Sequence, residues 1–112
     1  MQNNNDRELL ELAAKAAEFT VLPKGRTDGN FLVLGGDYGD FIWNPLTDDG
    51  DALRLAALLR LQINPGKHLG DGCTVETQRA GIAGCTAFYN DKAQQMRQAI
   101  VRAAAEIGRT MP

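Results

Sequence analysis

The chain has 112 residues, of which 44% are hydrophobic and 23% charged, and it carries a net charge of -2. This length fits one ordinary domain, 1–112, and the composition excludes a disordered or fibrous chain. The charge gives no overall attraction for nucleic acid, and no apolar run approaches the roughly 20 residues that cross a bilayer. The start of the chain lacks the basic and apolar regions of a signal peptide, so we expect a cytoplasmic protein that binds neither membrane nor nucleic acid.

The first element is predicted to be a helix from Arg7 to Glu18, with Asn5 as its N-cap. Its apolar face is narrow and rich in alanine, which predicts that the helix lies flat against the strands of a sheet. Leu10 is expected at the edge of this face, whose members are Leu9, Leu12, Ala13, Ala16 and Ala17.

A hairpin is predicted next. Residues 19–22 are predicted to form a short strand or an extended segment that leads into the hairpin. Residues 31–34 are apolar on both faces, as in a strand covered on both sides. The glycine-rich turn 35–40 then leads back into the strand 41–43. The hairpin therefore ends on Trp43, the only tryptophan.

The segment after Trp43 joins the hairpin to a second helix. Pro45 cannot extend a strand ladder, and the acidic cluster that follows is typical of a helix start. The helix 52–61 carries leucines on nearly every side, with Leu53 expected on its inner face together with Ala56, Ala57 and Leu61. A helix this apolar is either enclosed within its domain or covered by another subunit, so a homodimer through 52–61 is one expectation.

The second half of the chain predicts another hairpin and a last helix. Residues 63–72 are rich in glycine and proline and read as a loop, and strands are expected at 73–78 and 84–89. Asn90 is expected to cap a helix from 91 to 107, which Gly108 ends. The predicted class is α+β, in the order α-(β)-β-β-α-β-β-α, with a mainly antiparallel sheet covered on both faces.

Two motifs resemble the phage ABA sandwich domain family, a group of small phage and prophage proteins. One runs from Trp43 to Ala56 and the other from Arg97 to Gly108, with a weaker match over 9–17. Glu18 lies where similar sequences often have glycine, which concerns how the first helix ends. The resemblance implies a three-layer α/β/α sandwich and a phage or prophage origin, and it implies no activity.

Three carboxylates flank Gly50 and have two interpretations. Asp48, Asp49 and Asp51 could bind a hard cation such as magnesium or calcium. Their position at a helix start favours capping instead, with Thr47 or Asp48 as the N-cap, because an N-cap side-chain oxygen and acids in the first turn both stabilise the positive end of a helix. The spacing is not that of an EF-hand loop, and we expect no metal and no cofactor.

An acidic segment between Thr27 and Leu53 contains no lysine or arginine. One edge of the molecule should therefore be acidic, either as an ordinary solvated face or as a surface for a basic host or phage protein. The candidate partner-binding residues are Asp37, Asp40, Trp43, Asp48, Asp49 and Asp51, with Asp28 in the same segment.

The function favoured by these patterns is that of an accessory protein that acts by protein–protein binding in the infected host. An alternative is a small-ligand binder or enzyme with a cleft near Trp43, His68 and Cys73, and another is a structural component of the virion. Serine is absent, which excludes serine hydrolase chemistry. Two cysteines without a C-x-x-C pair favour buried thiols at Cys73 and Cys85 over a disulfide.

Overall fold

The computed structural model of the chain describes residues 2–21, 32–36, 39–67, 72–77, 81–86 and 91–111. These residues form two small antiparallel sheets, one of two strands and one of three, together with three helices. The α+β class is confirmed. The element order is α1 (Gln2–Ala16), β1 (Leu32–Gly36), β2 (Gly39–Trp43), α2 (Asp49–Leu59), β3 (Gln62–Asn64), β4 (Cys73–Thr77), β5 (Gly81–Thr86) and α3 (Lys92–Thr110).

Helix α1 begins at Gln2 rather than at Arg7, so the predicted cap Asn5 lies inside the helix and that prediction was wrong. The helix ends as a Schellman-type turn, in which the N–H of Phe19 donates to the carbonyl of Ala14 at 3.0 Å. Glu18 adopts a left-handed conformation there, with φ of 62°. This is the backbone position at which glycine is favoured, because a side chain is strained at positive φ.

Helix α1 packs mainly on α3, which it crosses closely in the core, so the prediction that it lies flat against strands was wrong. Gly108 was predicted to end α3, but the helix continues to Thr110 and Gly108 is buried within it. A Cβ atom on Gly108 would lie 2.1 Å from the carbonyl oxygen of Leu12 in α1. Glycine is therefore required for close approach of the two backbones.

The inward face of α1 is rotated from the predicted one. Leu10 is completely buried rather than at the edge, while Leu9 and Leu12 are half-buried. Helix α3 is covered around most of its circumference, and Asp91, not Asn90, is its N-cap, accepting a hydrogen bond from the N–H of Ala93. The core joins α1 and α3 to side chains of both sheets and of α2, namely Leu32, Leu34, Trp43, Ala52, Leu55, Ala56, Cys73 and Val75.

The two-stranded sheet is a longer hairpin than predicted. Its register pairs Leu32 with Trp43 and Gly36 with Gly39, so pairing extends into the predicted turn 35–40. The expected strand at 19–22 is reduced to one isolated bridge between Val21 and Leu34. Residues 37 and 38 lie outside the described residues.

The three-stranded sheet confirms the alternation predicted for the strand at 73. Cys73, Val75 and Thr77 are buried in β4, and the residues between them are half-buried or exposed. Strand β3 falls in the segment predicted as a loop, and β5 begins at Gly81 rather than at 84, so both of those predictions were wrong. The described strands belong to two separate sheets, β1 with β2 and β3 with β4 and β5. The predicted order of elements along the chain did not include β3.

We expect Gly108→Ala to lower the free energy of unfolding by about 3 kcal/mol. The added methyl group would overlap the backbone of Leu12, which cannot rotate aside as a side chain can. Urea denaturation measures this loss. Gly50→Ala in α2 is the matched control, since its Cβ would meet only the ends of the Asp48 and Arg54 side chains, at 3.2 Å and 3.6 Å. Equal stability of Gly108→Ala and the wild type would contradict the close crossing.

We expect Glu18→Gly to raise the free energy of unfolding by about 1 kcal/mol, because glycine adopts positive φ without the strain of a Cβ atom. Thermal and urea denaturation both report the change. Glu18→Ala separates backbone strain from the loss of charge, since alanine keeps the strain. A gain in stability for alanine as large as that for glycine would show that the carboxylate, not the backbone, is unfavourable.

Candidate functional site

The candidate site is the junction between β2 and α2, where the predicted partner-binding residues are concentrated. Asn44 begins this junction with a side-chain turn, in which its Oδ1 accepts a hydrogen bond from the N–H of Leu46 at 3.0 Å. The backbone carbonyl of Asn44 also accepts a hydrogen bond from the N–H of Asp48, at 2.9 Å. Pro45, which cannot donate to a strand ladder, is buried beside it. The chain thus leaves the sheet and enters the helix within a few residues.

Asp48 is the N-cap of α2, as the sequence predicted. It has extended backbone angles, and its Oδ2 accepts a hydrogen bond from the N–H of Asp51 at 2.7 Å. The carboxylate of Asp51 in turn accepts from the N–H of Asn44 at 2.9 Å. The two acids therefore satisfy backbone donors at the start of the helix and at the end of the strand.

Asp49 links the start of α2 to α3 through an ion pair. Its Oδ1 forms a short ion pair with Nη1 of Arg97, and Nε of the same guanidinium donates to the carbonyl of Leu46 at 2.9 Å. The Asp49 side chain is 77% exposed, so the ion pair itself stabilises the fold only modestly. Its main effect is geometric, because one arginine contacts both the turn and the helix.

The structure brings only part of the predicted partner-binding set to the surface. Asp48 and Asp49 are exposed, whereas the side chain of Asp51 is 16% exposed and turned toward Asn44. Trp43 is 3% exposed and packs edge to face on Phe19, with ring centroids 5.4 Å apart, so its indole belongs to the core rather than to a docking surface. Asp37 and the side chain of Asp40 lie outside the described residues.

The three acids near Gly50 are directed to different donors. Within the described part of the chain, no group of three His, Cys, Asp or Glu side chains is arranged to hold a metal ion. The carboxylates of Asp48 and Asp51 are occupied by backbone N–H groups, and that of Asp49 by Arg97. The arrangement is therefore that of a capped helix start.

Of the three residues at the alternative cleft, the structure describes Trp43 and Cys73. Trp43 and Cys73 are both buried in the core, and Cys73 carries a thiol there, as predicted. His68 and the side chain of Cys85 lie outside the described residues. A cleft joining Trp43 to Cys73 would have to open through packed side chains.

Four large apolar side chains are exposed among the described residues, and all of them lie between 41 and 58 of the chain. Phe41 and Ile42 in β2 are 49% and 64% exposed, and Leu53 and Leu58 in α2 are 65% and 54% exposed. We call these four residues the apolar patch residues. Leu53 was predicted to lie on the same apolar face of α2 as Ala56, and this prediction was wrong, because the helix turns Ala52, Leu55 and Ala56 inward and leaves Leu53 exposed.

An apolar groove of about 260 Å³ lies beside Leu53, between α2, β3 and α3. Ile63, Met96 and Ile100 form its inner wall, and the Asp49–Arg97 ion pair lies at its edge. A second cavity of about 220 Å³ lies where α1, α2 and α3 end, and Glu18 and Arg60 flank it. A polar cleft of about 450 Å³ lies along β3 and β4.

No protein-family model matches the chain, and no curated protein or solved structure is significantly similar to it. None of the described helices combines the length and the apolar character needed to cross a bilayer.

We expect Asp48→Ala to lower the free energy of unfolding by about 1 kcal/mol, because the N–H of Asp51 loses its acceptor at the start of α2. Urea denaturation followed by circular dichroism measures the change. Asp48→Asn is the matched control, since the amide oxygen still accepts a hydrogen bond at an N-cap. If asparagine costs as much stability as alanine, the capping role of Asp48 is contradicted.

Proposed function

We propose that this protein acts by binding another protein, and that the apolar patch residues and the carboxylates near them form the binding surface. The observation that carries the proposal is the position of Phe41, Ile42, Leu53 and Leu58. Every other large apolar side chain that the structure describes is buried or half-buried, and these four fall within one segment of the chain. Large apolar side chains left exposed to solvent are typical of interaction sites, and Phe41 and Ile42, as successive residues of a strand, offer such contacts on opposite faces of the hairpin.

Charge supports a basic partner for this surface. The exposed carboxylate of Asp48 lies in the same segment, and no lysine or arginine occurs between Thr27 and Leu53, whereas Asp49 is already paired with Arg97. A partner with lysine or arginine around an apolar contact would gain attraction during encounter as well as apolar burial on docking. Asp37 and Asp40 belong to this proposal as further acidic contacts.

The biological setting is part of the same proposal. The motifs at Trp43–Ala56 and 97–108 resemble those of phage ABA sandwich proteins, so we place the chain among phage or prophage accessory proteins that act in the host cytoplasm. The three-layer α/β/α arrangement implied by that resemblance is likewise proposed. Binding of a host or phage protein is sufficient for such a role and needs no catalytic group.

The proposal predicts that polar replacement of the patch abolishes binding. The variant carries Phe41→Thr, Ile42→Thr, Leu53→Gln and Leu58→Gln, which keep strand and helix propensities while removing apolar area. Tagged wild-type and variant chains are expressed in infected host cells, and proteins captured with each are quantified by mass spectrometry. Recovery of the specific partner should fall by at least about tenfold, because losing even one good apolar contact costs that factor.

The matched control replaces Gln62 and Glu76 by threonine, since these exposed strand residues lie on the other sheet. The control variant should capture the same partner in the same amount as the wild type. Equal recovery with the patch variant and with the control would overturn the proposal, provided that circular dichroism shows both variants to be folded.

A further inference from the structure

Strand β2 is at one edge of the two-stranded sheet, and its outer side is open. On the far side of β1, the N–H of Gly35 donates to the carbonyl of Thr20 at 3.0 Å. Val21 forms a bridge with Leu34 beside this bond. Among the described residues, β2 pairs with β1 alone. A further strand could therefore join this sheet along β2.

The register shows which backbone groups of β2 face outward. Antiparallel pairs alternate between pairs that are hydrogen-bonded to each other and pairs whose N–H and C=O groups point away from each other. The N–H of Gly35 points to Thr20 and away from its pair partner Asp40, so this pair is of the second kind. The pair Val33–Ile42, two positions along, is then of the second kind as well. The backbone N–H and C=O groups of Asp40 and Ile42 therefore point outward, and we call them the β2 edge.

Asn44 agrees with this alternation and marks the end of the β2 edge. It lies two residues after Ile42, and its N–H donates to the carboxylate of Asp51 at 2.9 Å. Within the described ranges, no backbone hydrogen bond reaches the outward groups of Asp40 and Ile42. Two donors and two acceptors are thus left at the β2 edge.

The side chains along β2 do not protect this edge. Phe41 is 49% exposed and Ile42 is 64% exposed. Natural proteins commonly block a strand edge with lysine, proline or a bulge. Strand β2 has neither lysine nor proline, and its pairing with β1 has no register shift. Strand β3, an edge of the other sheet, differs because it has three residues and is followed at once by Pro65.

We propose that the β2 edge binds an extended, basic segment of another protein, which joins the sheet as a third strand. Backbone groups spaced along a strand are matched by another extended backbone, whereas those of a helix are already bonded within the helix. Charge favours lysine or arginine in the added segment, because the stretch between Thr27 and Leu53 contains aspartates and no basic residue. Two copies of this acidic stretch would repel each other, which disfavours pairing of β2 with itself.

This inference rests on the proposed function, because it assigns part of the same binding surface to backbone pairing. Side chains on one face of the added strand would contact Phe41, and those on the other face would contact Ile42. A strand that pairs with the five residues of β2 is about 16 Å long. Such a short contact predicts a dissociation constant of about 0.1 mM for an isolated peptide.

The test is amide hydrogen exchange of the full chain, followed by NMR, with a synthetic peptide of six alternating valines and lysines as the probe. In the free chain the N–H of Ile42 should exchange faster than that of Phe41, because only Phe41 donates to β1. Peptide at about 1 mM should slow exchange at Ile42 about tenfold, as mass action gives for this affinity. No slowing at Ile42 would overturn the added strand.

Two matched peptides separate backbone pairing from charge. The same peptide methylated on every backbone nitrogen keeps its side chains and charges but cannot donate to a strand, and it should leave exchange at Ile42 unchanged. The peptide with glutamate in place of lysine should bind at least about tenfold more weakly. An equal effect of the methylated peptide overturns strand pairing, and an equal effect of the glutamate peptide overturns the basic partner.

Substitution of Ile42 tests the same contact from the side of the protein. Ile42→Pro removes an outward donor and should abolish peptide binding, while the sheet persists because that N–H makes no bond to β1. Ile42→Ala is the matched control, since it keeps the donor and should weaken binding without abolishing it. Circular dichroism verifies that both variants are folded. Equal binding by the two variants would overturn strand pairing, and the peptide comparison tests it on the wild type in either case.

The inference and the proposed function fail in different ways. If the polar patch variant loses the partner captured from infected cells while Ile42→Pro retains it, the proposed function stands and the added strand is overturned. If the patch variant retains the partner, the proposed function itself is overturned. Slow exchange at Ile42 in the free chain also overturns the inference, and slowing that increases with protein concentration would identify a second copy as the occupant.

Discussion

The carboxylate of Asp51 is the contact on which the orientation of α2 depends. It lies in the first turn of the helix, yet it accepts a hydrogen bond from the backbone of Asn44 at the end of the hairpin. The N–H of Asp51 meanwhile donates to the cap Asp48. Since this carboxylate is only 16% exposed, separating it from Asn44 would remove a hydrogen bond that water replaces poorly and would leave Arg54, at 3.7 Å, as its charged partner. The strand end and the helix start are therefore held at one angle.

That angle decides which side chains of α2 are covered. With the start of the helix fixed to Asn44 and to Arg97, Leu55 and Ala56 face the core and Leu53 faces away from it. Below α2 the core is set by the close crossing of α1 and α3 at Gly108, which permits no side chain at that point. The exposed leucines are thus a consequence of two constraints, one from hydrogen bonding and one from packing.

The features predictable from sequence were those determined by a few neighbouring residues. The cap at Asp48 follows from an acid that precedes a helical pattern, and the alternation in β4 follows from period-two burial. The features that sequence did not reveal depend on distant partners. Strand β3 has only three residues and exists because it pairs with β4, and Gly108 is defined by the carbonyl of Leu12 in another helix. In each case the deciding contact is absent from the local pattern.

The candidate site illustrates the same division. Its acids were predictable, because charged residues at a helix start have a local explanation, but its apolar part was not. A helix with leucines at 53, 55, 58 and 59 has no single apolar face, so composition alone cannot say which leucine remains uncovered. Trp43 shows the opposite case, since the most conspicuous side chain of the segment is buried against Phe19. The proposed binding surface consists of apolar groups left over after the core is complete, and only the tertiary arrangement determines which they are.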